Sequence, residues 1–208
     1  MGTEDAAELI AELKEQRSEQ EQGARFNNVA ALIIATMAAV LAIGGLGGGN
    51  ATDDMVINTI RASDTWAFYQ AKTVRQTAYE IELAGLEGRL PQAGAGRAAL
   101  EARIAETRAT IARYDDEPDA RAPDDPLRGE GKKQLSARAQ SFEAARDAAM
   151  ARDDSFDLAE VALQLALVLG SVAILAGNRT ILVAASVLGA VGALLTLNGF
   201  LLLFALPF

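Results

Sequence analysis

The chain has 208 residues, half of them hydrophobic but only 5% aromatic, with a formal net charge of −9 and neither cysteine nor histidine. Without those two residues there is no disulfide, no thiolate metal site or thiol nucleophile, and no imidazole base near neutral pH. The acidic balance argues against a nucleic-acid footprint, which needs a basic face. No nucleophile–base pair, metal cluster or cofactor loop stands out, so the expectation is a protein without cofactor or enzymatic activity.

Met1–Gly23 carries seven acids against Lys14 and Arg17. Ala6, Leu9, Ile10 and Leu13 recur at helical spacing, which predicts a short amphipathic helix in a charged segment over residues 1–27. Val29–Leu46 is apolar enough for a first membrane span, assigned to 28–49. Its preceding region is acidic and its run exceeds a signal-peptide core, so it reads as an uncleaved anchor. Ala31, Ala35 and Ala39 form a small-residue stripe suited to close helix approach. Gly44–Gly49 reads as a hinge at the membrane boundary, because each glycine costs about 1 kcal/mol relative to alanine in a helix. The alternative is tight packing through the Gly45/Gly49 spacing.

Residues 50–156 are polar, with long helical runs. Asp53 and Asp54 are placed as acids opening a helix that ends near Leu90, before Pro91. Tyr79, Leu83, Leu86 and Leu90 make a heptad-like seam in it. A second helix covers about Arg97–Tyr114, and the proline-rich stretch 115–131 reads as a linker. A third begins near Lys132 with Leu135, Phe142, Ala149 and Phe156 every seven residues, and nothing breaks it before the next apolar run. At 1.5 Å per residue the first of these helices spans about 60 Å and the other two together return about 65 Å. The expectation is an extramembrane helical hairpin, a coiled-coil-like stalk whose narrow seam favours a homo-oligomer, with a monomeric bundle of helices folded back on one another as the alternative. Trp66 and Tyr69 share a face within it and read as packing.

Two further spans follow at 157–177 and 180–206, joined by Gly177-Asn178-Arg179-Thr180. Ala185, Gly189, Gly192 and Thr196 make a small-residue packing face on the last. The fold class is therefore all-α and membrane-embedded: one N-terminal span, the stalk and a C-terminal hairpin. Arg25 and Arg179 flank span ends whose opposite ends carry acids. The positive-inside rule then puts the N-terminus in the cytoplasm, with the stalk and Phe208 outside.

Asp153, Asp157, Glu160 and Gln164 line one helix face as the second span begins. Glu160 lies about a turn inside the apolar stretch, where an ionisable group is costly and normally faces a partner or water. Antiparallel pairing about the Asn178/Arg179 turn sets it beside Asn198, which predicts a Glu160–Asn198 contact, within or between subunits. In a ring of subunits these acids, with Asp53 and Asp54, would form a cation-attracting mouth.

Trp66-Ala67-Phe68-Tyr69-Gln70-Ala71-Lys72, the Arg152–Glu160 run and Leu197-Asn198-Gly199-Phe200 resemble the DUF4337 family of bacterial membrane proteins, whose order of parts is similar. The Gly44–Gly49 tract and the proline-rich 115–131 stretch depart from it. The family name records unknown function, so the resemblance implies this architecture and a bacterial inner-membrane location, with Trp66, Tyr69 and Lys72 as a motif, and brings no catalytic residues. The functional expectation is a scaffold that binds the lipid bilayer, self-associates and docks another membrane complex. The alternative is a homo-oligomeric cation channel or transport accessory.

Overall fold

The computed structural model describes the backbone of residues 3–206 and the side chains of residues 13–18 and 20–206. The side chains of Ala6, Leu9 and Ile10, and the terminal Phe208, lie outside the described residues. All regular structure among the described residues is helical. Helix α1 is Thr3–Arg89, followed by single 3-10 turns at Leu90–Gln92 and Gly94–Gly96. Helix α2 is Arg97–Asp115, α3 is Lys132–Ala176 and α4 is Arg179–Leu201. Helices α1, α3 and α4 are long and apolar enough to cross a membrane. The chain divides into two compact units, Met1–Thr52 with Ala149–Phe208, and Asp53–Ala148.

In the first unit α1, α3 and α4 pack through small residues facing large ones. A Cβ on Gly189 would lie 2.5 Å from Met37 Cε, one on Gly192 2.6 Å from Leu163 Cγ, and one on Gly170 2.9 Å from Ile34 Cγ1. Ala30, Ala173 and Leu182 close one end of this core; Met37, Leu163 and Ala166 fill its middle. Small residues set against large ones let apolar helix backbones approach this closely.

The glycine tract corrects the hinge expected there, since α1 runs through Gly44–Gly49 unbroken and Asp53–Asp54 are internal to it. Packing holds it. A Cβ on Gly47 would fall 2.5 Å from Phe156 Cζ and 2.9 Å from Phe200 Cζ; one on Gly48 would fall 3.3 Å from Phe156 Cβ, and one on Gly44 3.4 Å from Thr196 Oγ1. The close-packed glycines are thus Gly44, Gly47 and Gly48, whereas Gly45 and Gly49 face open space. The Ala31/Ala35/Ala39 stripe is likewise exposed, because Ala30, Met37, Gly44 and Ala51 occupy the inner face.

The α3–α4 turn is two residues. Gly177 adopts φ +59, its N–H bonds Ile174 O at 3.3 Å, and Asn178 N–H bonds Ala173 O at 3.1 Å. That pair of bonds closes α3 as a Schellman motif, for which a glycine in the left-handed region is best suited. Asn178 Oδ1 then caps α4, accepting from Thr180 N at 2.8 Å and Ile181 N at 3.4 Å.

In the second unit, α1 is met first by α2 and then by α3. Tyr79 packs against Tyr114 with centroids 5.7 Å apart, and Arg103 and Arg108 bridge back to Glu82 and Glu87 at 3.1 and 2.5 Å. Nearer the start of this unit, Arg61 lies 5.9 Å from the Phe142 ring centroid, and Trp66 Nε1 donates to Glu143 Oε1 at 2.9 Å. Leu135, on the seven-residue spacing of α3, is buried.

Candidate functional site

Two clusters of polar side chains stand out, one around Lys72 and one around Asn198. The first surrounds Lys72, in the second unit, where α2 ends and α3 begins. Trp66 and Tyr69 meet edge to face, centroids 5.5 Å apart. One turn on, Lys72 is only 6% exposed. Its Nζ bonds Glu117 Oε2 at 3.3 Å and the Glu130 backbone carbonyl, and lies 5.3 and 5.8 Å from the Tyr114 and Phe68 ring centroids. A buried ammonium needs such partners, since desolvation alone would disfavour its charge.

Around it the proline-rich stretch is folded into place, which its composition does not announce. Pro118 and Gly129 form an antiparallel bridge, with Gly129 at φ +122. Arg138 donates to Leu127 O at 2.8 Å and Gly129 O at 2.7 Å, and Gln134 Oε1 accepts from Glu117 N at 3.2 Å. Lys132 bridges Asp115 at 2.9 Å and Lys133 bridges Asp116 at 3.3 Å. Hydrogen bonding from Lys132, and next from Gln76, holds the Asp115 carboxyl below its ordinary value; Gln134, followed by Lys133, does the same for Asp116. The arrangement locks a helix–loop–helix junction onto α1.

The second cluster is centred on Asn198, 1% exposed. Its Nδ2 donates to Ser155 Oγ at 3.0 Å and to Phe204 O at 3.1 Å, and its Oδ1 accepts from Phe204 N at 3.0 Å. The side-chain amide thus pairs with the Phe204 backbone and folds the tail back. Leu202 is accordingly left-handed at φ 48, and α4 stops at Leu201, short of the expected 206. Beside the amide, the Phe156 and Phe200 rings stack edge to face at 4.9 Å, over Gly47 and Gly199.

The expected Glu160–Asn198 contact is absent from this chain. Glu160 Oε1 instead accepts from Gln164 Nε2 at 2.7 Å, both side chains being exposed. In the observed register Gly192 packs on Leu163 and Gly199 on Phe156, and Ser155 meets Asn198. Ala185, Gly189, Gly192 and Thr196 are all buried on α4. Asp53, Asp54 and Asp157 are exposed; Asp153 is half-buried and accepts from Thr52 Oγ1 at 2.9 Å. Ser155, Phe156, Glu117 and Gln134 escaped the sequence reading as site residues. Only Phe156 carried a signal, its place in the seven-residue series on α3.

Among known families, the one described as "Domain of unknown function (DUF4337)" matches residues 26–202, nearly the whole chain. The chain belongs to the DUF4337 family. That match includes the Lys72 cluster, the Trp66–Lys72 motif and Leu197–Phe200, while Phe204 of the second cluster lies beyond it. No curated protein and no solved structure matches this DUF4337 chain. Among the described residues, no group of three or more acids is placed to hold a metal ion.

Proposed function

We propose that this DUF4337 protein is an integral membrane scaffold, in the inner membrane of a bacterium, that self-associates and holds or docks a partner complex. The observation that carries the reading is apolar surface on the polar unit. Ile60, Val74 and Ile81 on α1 are 54, 71 and 69% exposed. Large aliphatic side chains left facing water along one helix mark an interaction surface. Three helices apolar enough to cross a membrane support the integral placement. Arg25 and Arg179, set against Asp53, Asp54, Asp153 and Asp154, support a cytoplasmic N-terminus and a periplasmic location for residues 53–148. Native mass measurement of the purified protein in detergent tests the reading. A multiple of the 21.8 kDa chain supports it, and a monomer at all concentrations contradicts it.

The second reading, a homo-oligomeric cation channel, is favoured by one feature. Glu160 and Gln164 are paired and exposed at the start of an apolar helical stretch, where a carboxylate facing lipid is costly. Subunits gathered around that face would give it water and a partner. Planar-bilayer recordings decide: a cation current reduced by Glu160→Gln supports this reading, and no current from the unaltered protein sinks it.

A further inference from the structure

The exposed residues on α1 follow a rule of their own. Ile60, Ala67, Val74 and Ile81 recur every seven residues, and Ala71 and Ala78 lie four residues after Ala67 and Val74; all six are exposed. With Ile57 and Gly85 at the ends, this is an a/d pattern over about four heptads, or about 43 Å of helix, the length at which a heptad signal becomes meaningful. It lies opposite the face on which Ala62, Lys72 and Gln76 are buried, so no other helix of the second unit covers it.

We infer that this seam pairs with the same seam of a second copy, the two α1 helices running parallel. The inference rests on the membrane reading above, because two copies inserted alike in one bilayer present α1 in the same direction. Charge agrees with it. In a parallel pair the flanking residues meet as Val56 with Arg61, Ser63 with Phe68, Gln70 with Arg75 and Thr77 with Glu82, and none of these is a like-charged pair. Asp64 is the one ionised residue inside the seam, and its like charge is a local cost of the pairing. The small Ala67, Ala71 and Ala78 let the backbones come close, while Ile60, Val74 and Ile81 supply the buried area.

The chain has no cysteine, so single cysteines report the pairing directly. Ile60→Cys, Ile81→Cys and, on exposed α2, Ala102→Cys are each oxidised mildly in membranes, and each variant's native mass is measured in parallel. A disulfide needs Cα atoms within about 7 Å. The parallel seam predicts that Ile60→Cys and Ile81→Cys each form covalent dimers, that Ala102→Cys does not, and that adding Val74→Asp to Ile81→Cys lowers the linked fraction severalfold. An antiparallel seam would link only the mixture of the two variants, which overturns the inference. No link at either position in a protein that is oligomeric by mass overturns the seam and leaves self-association standing. No link in a protein that is monomeric by mass overturns both.

Discussion

At Gly47 a single methyl group decides whether three helices fit. Phe156 and Phe200 are already stacked at 4.9 Å, and an alanine Cβ would stand 2.5 Å from Phe156 Cζ. Gly47→Ala should therefore lower stability by about 1–3 kcal/mol, the usual cost of overpacking. Gly45→Ala meets nothing within 4 Å and should stabilise by up to about 1 kcal/mol through helix propensity alone. Thermal unfolding in detergent distinguishes them, and a shift of the same sign for both would contradict the packing described. Asn198 works through hydrogen bonds instead. Asn198→Ala leaves Phe204 N–H and O without their side-chain partner, at a cost of about 1–3 kcal/mol. Amide exchange should then rise at Phe204 while the middle of α4 stays protected. The sequence showed that Asn198 was a polar residue needing a partner, but not which one. Choosing between Ser155 and Glu160 required the hairpin register, which the two-residue turn sets.

At the scale of elements, helix ends followed local chemistry and were readable from it. Pro91 ends α1 at Arg89, α2 spans Arg97–Asp115, and α3 starts at Lys132. Intrinsic propensity alone points to a hinge at the glycine tract, because the Phe156 and Phe200 rings that pack on it come from 109 and 153 residues away. The junction after α2 was equally opaque, since Lys72, Glu117 and Gln134 come together only in the folded unit. Its pH response follows from the two depressed carboxyls. A carboxyl held lower when folded contributes stability above its unfolded pKa of about 3.9, and that contribution disappears as pH falls through the lower folded value. Both aspartates are half exposed, at 56 and 50%, so water screens the effect. The Asp115→Asn/Asp116→Asn double variant should melt below the unaltered protein at pH 6–7, with the gap closing once pH falls below about 4. A gap independent of pH would show that the two carboxylates are not held by Lys132, Lys133 and Gln134.

For the whole molecule, the all-helical class and three helices of spanning length were legible from apolar runs alone, because lipid demands long uninterrupted stretches. What the residues could not reveal was the division of labour between the two faces of α1. In the second unit one face is consumed within the chain by Ala62, Lys72 and Gln76, and the other, through Ile60, Val74 and Ile81, is left open. Everything proposed for that open face assumes that lipid surrounds the apolar parts of α1, α3 and α4. Alkaline carbonate washing of cell membranes, with the protein followed by immunoblot, puts this to the test. An integral protein stays in the pellet and is released only by detergent; recovery in the carbonate supernatant, dispersed without detergent, would contradict the membrane placement.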